Sequence, residues 1–164
     1  MEFKTAYDMD GVLCENPAST EKTFFKMNGE ERKKRKEYLL SHYPIAKQLH
    51  IPKEEEFIII TARKEKNGVK EISRAWVDKN LPGKKVQIFF LQEAKTYKNV
   101  IKFKAEIINK FNIQNFYEDN LVVLKGLTKL VKCSLFFYEN GNFTPVASKK
   151  SSKISCAVDK TLQA

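Results

Sequence analysis

No stretch of this chain approaches the eighteen or more consecutive apolar residues that a membrane-spanning helix needs. Its start, "MEFKTAYDMDG", carries acids too early and too short an apolar run for a secretion signal, so a soluble, cytoplasmic protein is expected. Cysteine is scarce. Cys14, Cys133 and Cys156 form no CxxC pair and have no histidine at ligand spacing, and their odd number argues against a disulfide framework. Acids are outnumbered, 20 Asp and Glu against 30 Lys and Arg, which gives a formal net charge of +10. Such an excess suits a polyanion partner, or is simply a lysine-rich surface. Several reaction signatures are missing too. There is no GxxxxGK[ST] loop, no HxH or HExxH around His42 or His50, and no GxSxG or Cys–His nucleophile pattern.

What is present suits one domain with a small insertion: 164 residues, 42% of them hydrophobic, with no internal repeat. Apolar runs alternate with helical patterns, as in an α/β domain built on a mostly parallel sheet. Strands are expected at Phe3–Asp8, Phe57–Thr61, Val86–Leu91, at "QNFYE" before Asp119, at Cys133–Tyr138 and near Phe143. Helices are expected at about Val69–Asn80, with Ile72, Ala75, Trp76 and Val77 inward, at Asn99–Phe111 and at Leu121–Val131. Between the first two strands, from Cys14 to about Glu56, lies a polar segment. In it Asn28 is a candidate N-cap, the basic run Arg32–Lys36 a solvated helix face, and Tyr38, Leu39 and Leu40 an apolar end. Residues 148–164 lack periodicity and read as a mobile tail.

Three strand ends carry reactive side chains: Asp8 and Asp10, Thr61 and Arg63, and Glu118 and Asp119. In open parallel sheets the ligand crevice lies beyond the carboxyl ends of the strands. A carboxylate buried at a strand end needs a positive partner. A hard cation such as Mg²⁺ serves with few protein carboxylates, here Asp8 and Asp119, while keeping waters and substrate phosphate oxygens. Asp8 could then attack phosphorus to form an aspartyl-phosphate, with Asp10 protonating the leaving oxygen and later activating water. Gly11 permits the sharp turn that brings backbone N–H groups towards phosphate. Thr61 offers a hydroxyl to a phosphate oxygen, and a lysine of the helix before the fourth strand neutralises developing charge.

In their order these segments carry a family resemblance. "DMDGVL" resembles the first motif of the haloacid-dehalogenase-like (HAD) hydrolases, and "FIIIT" resembles their second. Lys104 in "KFKAEIINKF" falls where the third-motif lysine would, with Lys102 the alternative, and "FYEDN" resembles the acidic fourth motif. The resemblance extends to about Tyr138. It implies a three-layer Rossmann-like domain over 1–147 with a small helical cap at about 14–56. Asp8 would be nucleophile and Mg²⁺ ligand, and Asp10 acid/base with its backbone carbonyl on the metal. Thr61 and Lys104 would hold the transferring phosphoryl group, and Asp119 the metal, with Glu118 as the other acid for that place. Members that cleave carbon–halogen bonds lack the second aspartate, so Asp10 favours phosphate esters.

The "TAR" of Thr61 to Arg63 resembles nucleotidases and polynucleotide-end phosphatases of that family, and the planar fork of Arg63 suits a second phosphate. The segment 14–56 is short for a lid, leaving the site open to a bulky substrate. Phe24, Phe25, Tyr38 and Tyr43 could stack on a base or pack the cap on the core. The expected partner is a phosphorylated substrate, a nucleotide or a nucleic-acid end. The alternatives are a sugar phosphate or other small metabolite, and a non-catalytic nucleic-acid-binding protein of the same fold. The oligomeric state is left open.

Overall fold

The structure is a computed structural model that describes residues 3–17 and 28–146. Phe24, Phe25, Cys156 and the expected tail lie outside the described residues. In chain order the elements are β1 (Thr5–Tyr7), α1 (Gly29–His42), a 3₁₀ turn (Tyr43–Ile45), β2 (Glu56–Lys64), α2 (Val69–Asn80) and β3 (Lys85–Leu91). There follow α3 (Tyr97–Lys110), β4 (Asn115–Glu118), α4 (Leu121–Leu127), β5 (Ser134–Glu139) and β6 (Asn142–Val146). The six strands form one sheet in the order β3-β2-β1-β4-β5-β6, with β6 alone antiparallel, on β5. This is a Rossmann-like arrangement. Strand order reverses at β1, and the crevice of such sheets opens there, at the carboxyl ends of β1 and β4.

The apolar runs explain the layers. Phe57 to Ile60 of β2 are fully buried because the strand is covered on both faces. Its side chains alternate: Ile58 and Ile60 join Val100, Ala105, Ile108 and Leu124 of α3 and α4, while Phe57 and Ile59 join Trp76 and Val77 of α2. Each such side chain contributes about 1.5–3 kcal/mol of transfer free energy. Along α2 it is Ser73, not Ala75, that turns inward with Trp76 and Val77; Ala75 is exposed and Ile72 half-buried. α3 begins two residues earlier than expected because the Thr96 side chain accepts from Asn99 N–H. α4 ends at Leu127, and the chain unwinds through turns to Leu130.

Asn28 does cap α1, through a reciprocal capping box with Glu31. The expected apolar end of that helix is covered only in part: Leu39 and Leu40 are half-buried and Tyr38 is exposed, and no residue of α1 is fully buried. The legs of the 14–56 segment are anchored instead by backbone pairing. Glu15 N–H donates to Lys47 O and Leu49 N–H to Leu13 O, while the Trp76 indole N–H donates to Ala46 O at 2.8 Å. No helix among the described residues is long and apolar enough to cross a membrane.

Candidate active site

Asp8 follows β1 directly, its N–H donating to Tyr117 O of β4, so the strand pairing carries its carboxylate to the reversal point. Glu118 closes β4 and Asp119 follows it. One carboxylate oxygen from each of Asp8, Glu118 and Asp119 lies within 4.8 Å of the others. Lys104 reaches this group from α3, fully buried, with Nζ 3.0 Å from Asp8 Oδ1 and 2.5 Å from Glu118 Oε2. Lys102 lies exposed on α3 and pairs with Glu106 at 3.9 Å, outside the site. Asn120 N–H donates to Glu118 Oε1, so both oxygens of Glu118 are engaged. The side chain of Asn120 in turn accepts from Val122 and Val123 N–H and caps α4, which fixes the acids at its entrance.

Three carboxylates thus face one ammonium. Burial pushes the Asp8 carboxyl up to about 7, the charge of Glu118 adds to the rise, and Lys104 opposes it. Asp119 is pushed up to about 6, first by burial and then by Asp8. Glu118 is raised as well, mainly by burial. Burial alone would lower Lys104, yet the charges of Asp8 and Glu118 outweigh it and hold the ammonium above its usual value. Moreover, Asp8 Oδ1 makes no hydrogen bond of good geometry despite its ion pair. An all-oxygen, electron-rich set with an under-satisfied inner atom could hold a hard divalent cation.

Gly11 completes the acidic side of the site. Its φ is +89°, and a Cβ there would fall 1.9 Å from Asp119 Oδ2, so the glycine lets the turn and the carboxylate approach. Both residues line an open groove of about 800 Å³, together with Tyr38, His42, Lys47, Tyr138 and Glu139 among others. Asp119 is therefore the acid of the cluster that meets the groove, while Glu118 stays buried behind it.

The second group of residues centres on Asp10. β2 does not stop at Thr61 but continues to Lys64, with an irregularity. It advances from Thr61 to Lys64 while β3 advances only from Phe90 to Leu91. Such a bulge re-aims a side chain, and here Arg63 is turned inward. Its Nε donates to both oxygens of Asp10 at 3.2 and 3.0 Å, and Nη2 lies 2.5 Å from Asp10 Oδ1. Nη1 donates to Ser73 Oγ at 2.9 Å and Nη2 also to Cys14 Sγ. The ring of Tyr43 covers the guanidinium at 3.7 Å. Arg63, expected to offer its fork to a second phosphate, has a side chain 1% exposed, with its donors turned on Asp10, Ser73 and Cys14. Its carboxylate partner is Asp10.

Thr61 is fully buried within β2, and its hydroxyl accepts from Arg63 N–H at 3.2 Å. Cys14 is a buried thiol whose Sγ lies within hydrogen-bonding reach of Met9 O and Asp10 Oδ1. Tyr43 packs on the core, whereas Tyr38 stacks on His42 beside the groove. Sequence reasoning missed Ser73, Tyr43 and Cys14 as partners of Arg63, and Glu118 as the buried counter-ion of Lys104. Only the inward spacing of Ser73 with Trp76 and Val77 offered a signal for any of them. No protein-family model matches the chain, and a search of curated proteins finds no significant match. Fold and site define a Rossmann-like α/β domain with a buried acidic cluster at its topological switch point.

Proposed function

We propose that this chain is a Mg²⁺-dependent phosphomonoester hydrolase of the HAD type, working through an aspartyl-phosphate on Asp8. The observation that carries the proposal is the convergence of Asp8, Glu118, Asp119 and Lys104 beside Gly11 at the carboxyl ends of β1 and β4. Asp8 and Asp119 would hold the cation, whose charge would neutralise the acids and draw the phosphate oxygens in.

An Asp8 oxygen forms a bond to phosphorus as the bond to the ester oxygen breaks, and Asp10 gives its proton to that oxygen. Asp10 then takes a proton from water, and the hydroxide displaces Asp8 from phosphorus. This releases inorganic phosphate and restores the carboxylate. Lys104, held by Asp8 and Glu118, offsets negative charge on the phosphoryl group. The segment 14–56 would serve as a small cap.

The substrate class we propose is a nucleotide or a nucleic-acid end. The groove favours the nucleotide. Tyr38 and His42 offer a stacking surface, while Glu15, Asp119 and Glu139 among its lining would repel a polyanion track. A sugar phosphate remains the alternative substrate. A salt-sensitive nucleic-acid binder is the non-catalytic alternative, resting on the exposed basic run of α1.

Purified protein should release phosphate from a panel of mononucleotides, 3′-phosphorylated oligonucleotides and sugar phosphates with Mg²⁺. EDTA and Asp8→Asn should each abolish that release. No turnover across the panel, with oligonucleotide binding that survives Asp8→Asn and EDTA, would favour the binder.

A further inference from the structure

Arg63 and Tyr43 stand outside the acidic cluster, yet their contacts end on the residue proposed as proton shuttle. We infer that Arg63 is the positioning residue for Asp10, and that Tyr43 of the 14–56 segment holds Arg63 in place. The inference rests on the proposed hydrolase and assigns it two further residues.

The geometry has three parts. First, Arg63 grips Asp10 with Nε and Nη2 together, which fixes the plane of the carboxylate as well as its place. Asp10 itself is only partly buried, its side chain 17% exposed, so it lies at the edge of the solvent-accessible site while its clamp lies beneath. Second, the guanidinium is fixed from three further directions. Ser73 Oγ accepts from Nη1 on the α2 side, Cys14 Sγ accepts from Nη2 on the β1 side, and the Tyr43 ring covers the cation with its centroid 3.7 Å from Cζ. Third, Tyr43 sits where α1 passes into the 3₁₀ turn, one residue before Pro44, and is itself buried. Tyr43 therefore links the 14–56 segment to the proton-transfer residue through one ring and one guanidinium. A lysine could not reproduce this, because an ammonium has no planar fork to orient a carboxylate.

The test separates orientation of an acid from general support of the fold. Arg63→Met, Arg63→Lys, Tyr43→Leu and Tyr43→Phe are compared on an alkyl phosphate, whose leaving oxygen needs a proton, and on 4-nitrophenyl phosphate, whose leaving group needs little help. For both Arg63 variants, kcat/KM on the alkyl ester should fall about 10²-fold or more, the scale of general acid–base catalysis. On the aryl ester it should fall only a few-fold. Tyr43→Leu should show the same skew more weakly, and Tyr43→Phe, which keeps the ring, should restore it. Equal losses on both esters would mean that Arg63 binds substrate or merely supports the fold, and would overturn the inference.

A crystal structure provides a readout that needs no turnover. In Arg63→Met and Tyr43→Leu the Asp10 carboxylate should leave its wild-type rotamer or split between two. An Asp10 that stays in place in both variants overturns the inference whatever the activity. Absence of wild-type turnover would instead count against the hydrolase and leave this positional result standing.

Discussion

Gly11 and Asp119 are so close that a Cβ on the first would fall 1.9 Å from Oδ2 of the second. The glycine also holds φ +89°, where a side chain is strained in any case. Gly11→Ala should therefore cost about 1–3 kcal/mol of stability, the usual range for a strained backbone position. It should also displace the Asp119 carboxylate. Gly141→Ala is the matched control, with φ +84° and open space around the would-be Cβ. Urea denaturation with and without Mg²⁺ distinguishes them. Both variants lose stability, but only Gly11→Ala should also lose the gain that Mg²⁺ confers.

Lys104 supplies the ammonium shared by Asp8 and Glu118, and it is almost wholly buried. Breaking a buried pair by removing one partner is costly because the remaining charge has no compensation. Lys104→Met keeps much of the side chain's volume and should cost about 3–5 kcal/mol by chemical denaturation. If the variant matched wild type within error, the buried pair would contribute nothing net.

Much of this architecture was legible in the order of apolar runs. "FIIIT" reads as a strand covered on both faces, and the alternation of apolar runs with helical patterns points to the mostly parallel sheet. The acids of the first and fourth strands were visible as strand-end residues, and parallel pairing of β1 with β4 brings them together. Two features were not legible. The bulge between Thr61 and Lys64 breaks the alternation of faces, so no periodicity shows that Arg63 turns inward onto Asp10. The apolar end of α1 packs only in part, Leu39 and Leu40 half-buried and Tyr38 exposed, and nothing along the chain shows how near a second surface comes to it.

Asp119 and Glu118 are adjacent acids in different surroundings. Glu118 is sealed, one oxygen on Lys104 and the other on Asn120 N–H, whereas Asp119 borders the groove. Glu118→Gln should weaken the hold on Lys104 and cost about 1–3 kcal/mol, the penalty for a buried group left poorly satisfied. It should keep most of the stabilisation by Mg²⁺. Asp119→Asn removes one charge from a crowded set, so stability without cation should stay within about 0.5 kcal/mol of wild type or rise. Its melting temperature should no longer respond to Mg²⁺. The opposite pattern would make Glu118 the inner ligand.

The raised carboxyls give the fold a specific dependence on pH. Asp8 titrates at about 7 and Asp119 at about 6 in the folded protein, each above its ordinary value of 3.8. Between pH 4 and 7 the folded state therefore holds more protons than the unfolded chain, and stability falls as pH rises. Their contribution is most favourable below about pH 4 and declines until both groups have ionised, above about pH 7. A divalent cation reverses the trend, because it binds the ionised carboxylates and competes with protons for them. Thermal melts in EDTA should show a decline in melting temperature from pH 5 to pH 7.5. Excess Mg²⁺ should raise the melting temperature most at the upper end of that range. Asp8→Asn cannot ionise at this position, so the decline in EDTA should flatten and the Mg²⁺ effect should shrink. An unchanged slope in Asp8→Asn would place the titrating groups elsewhere.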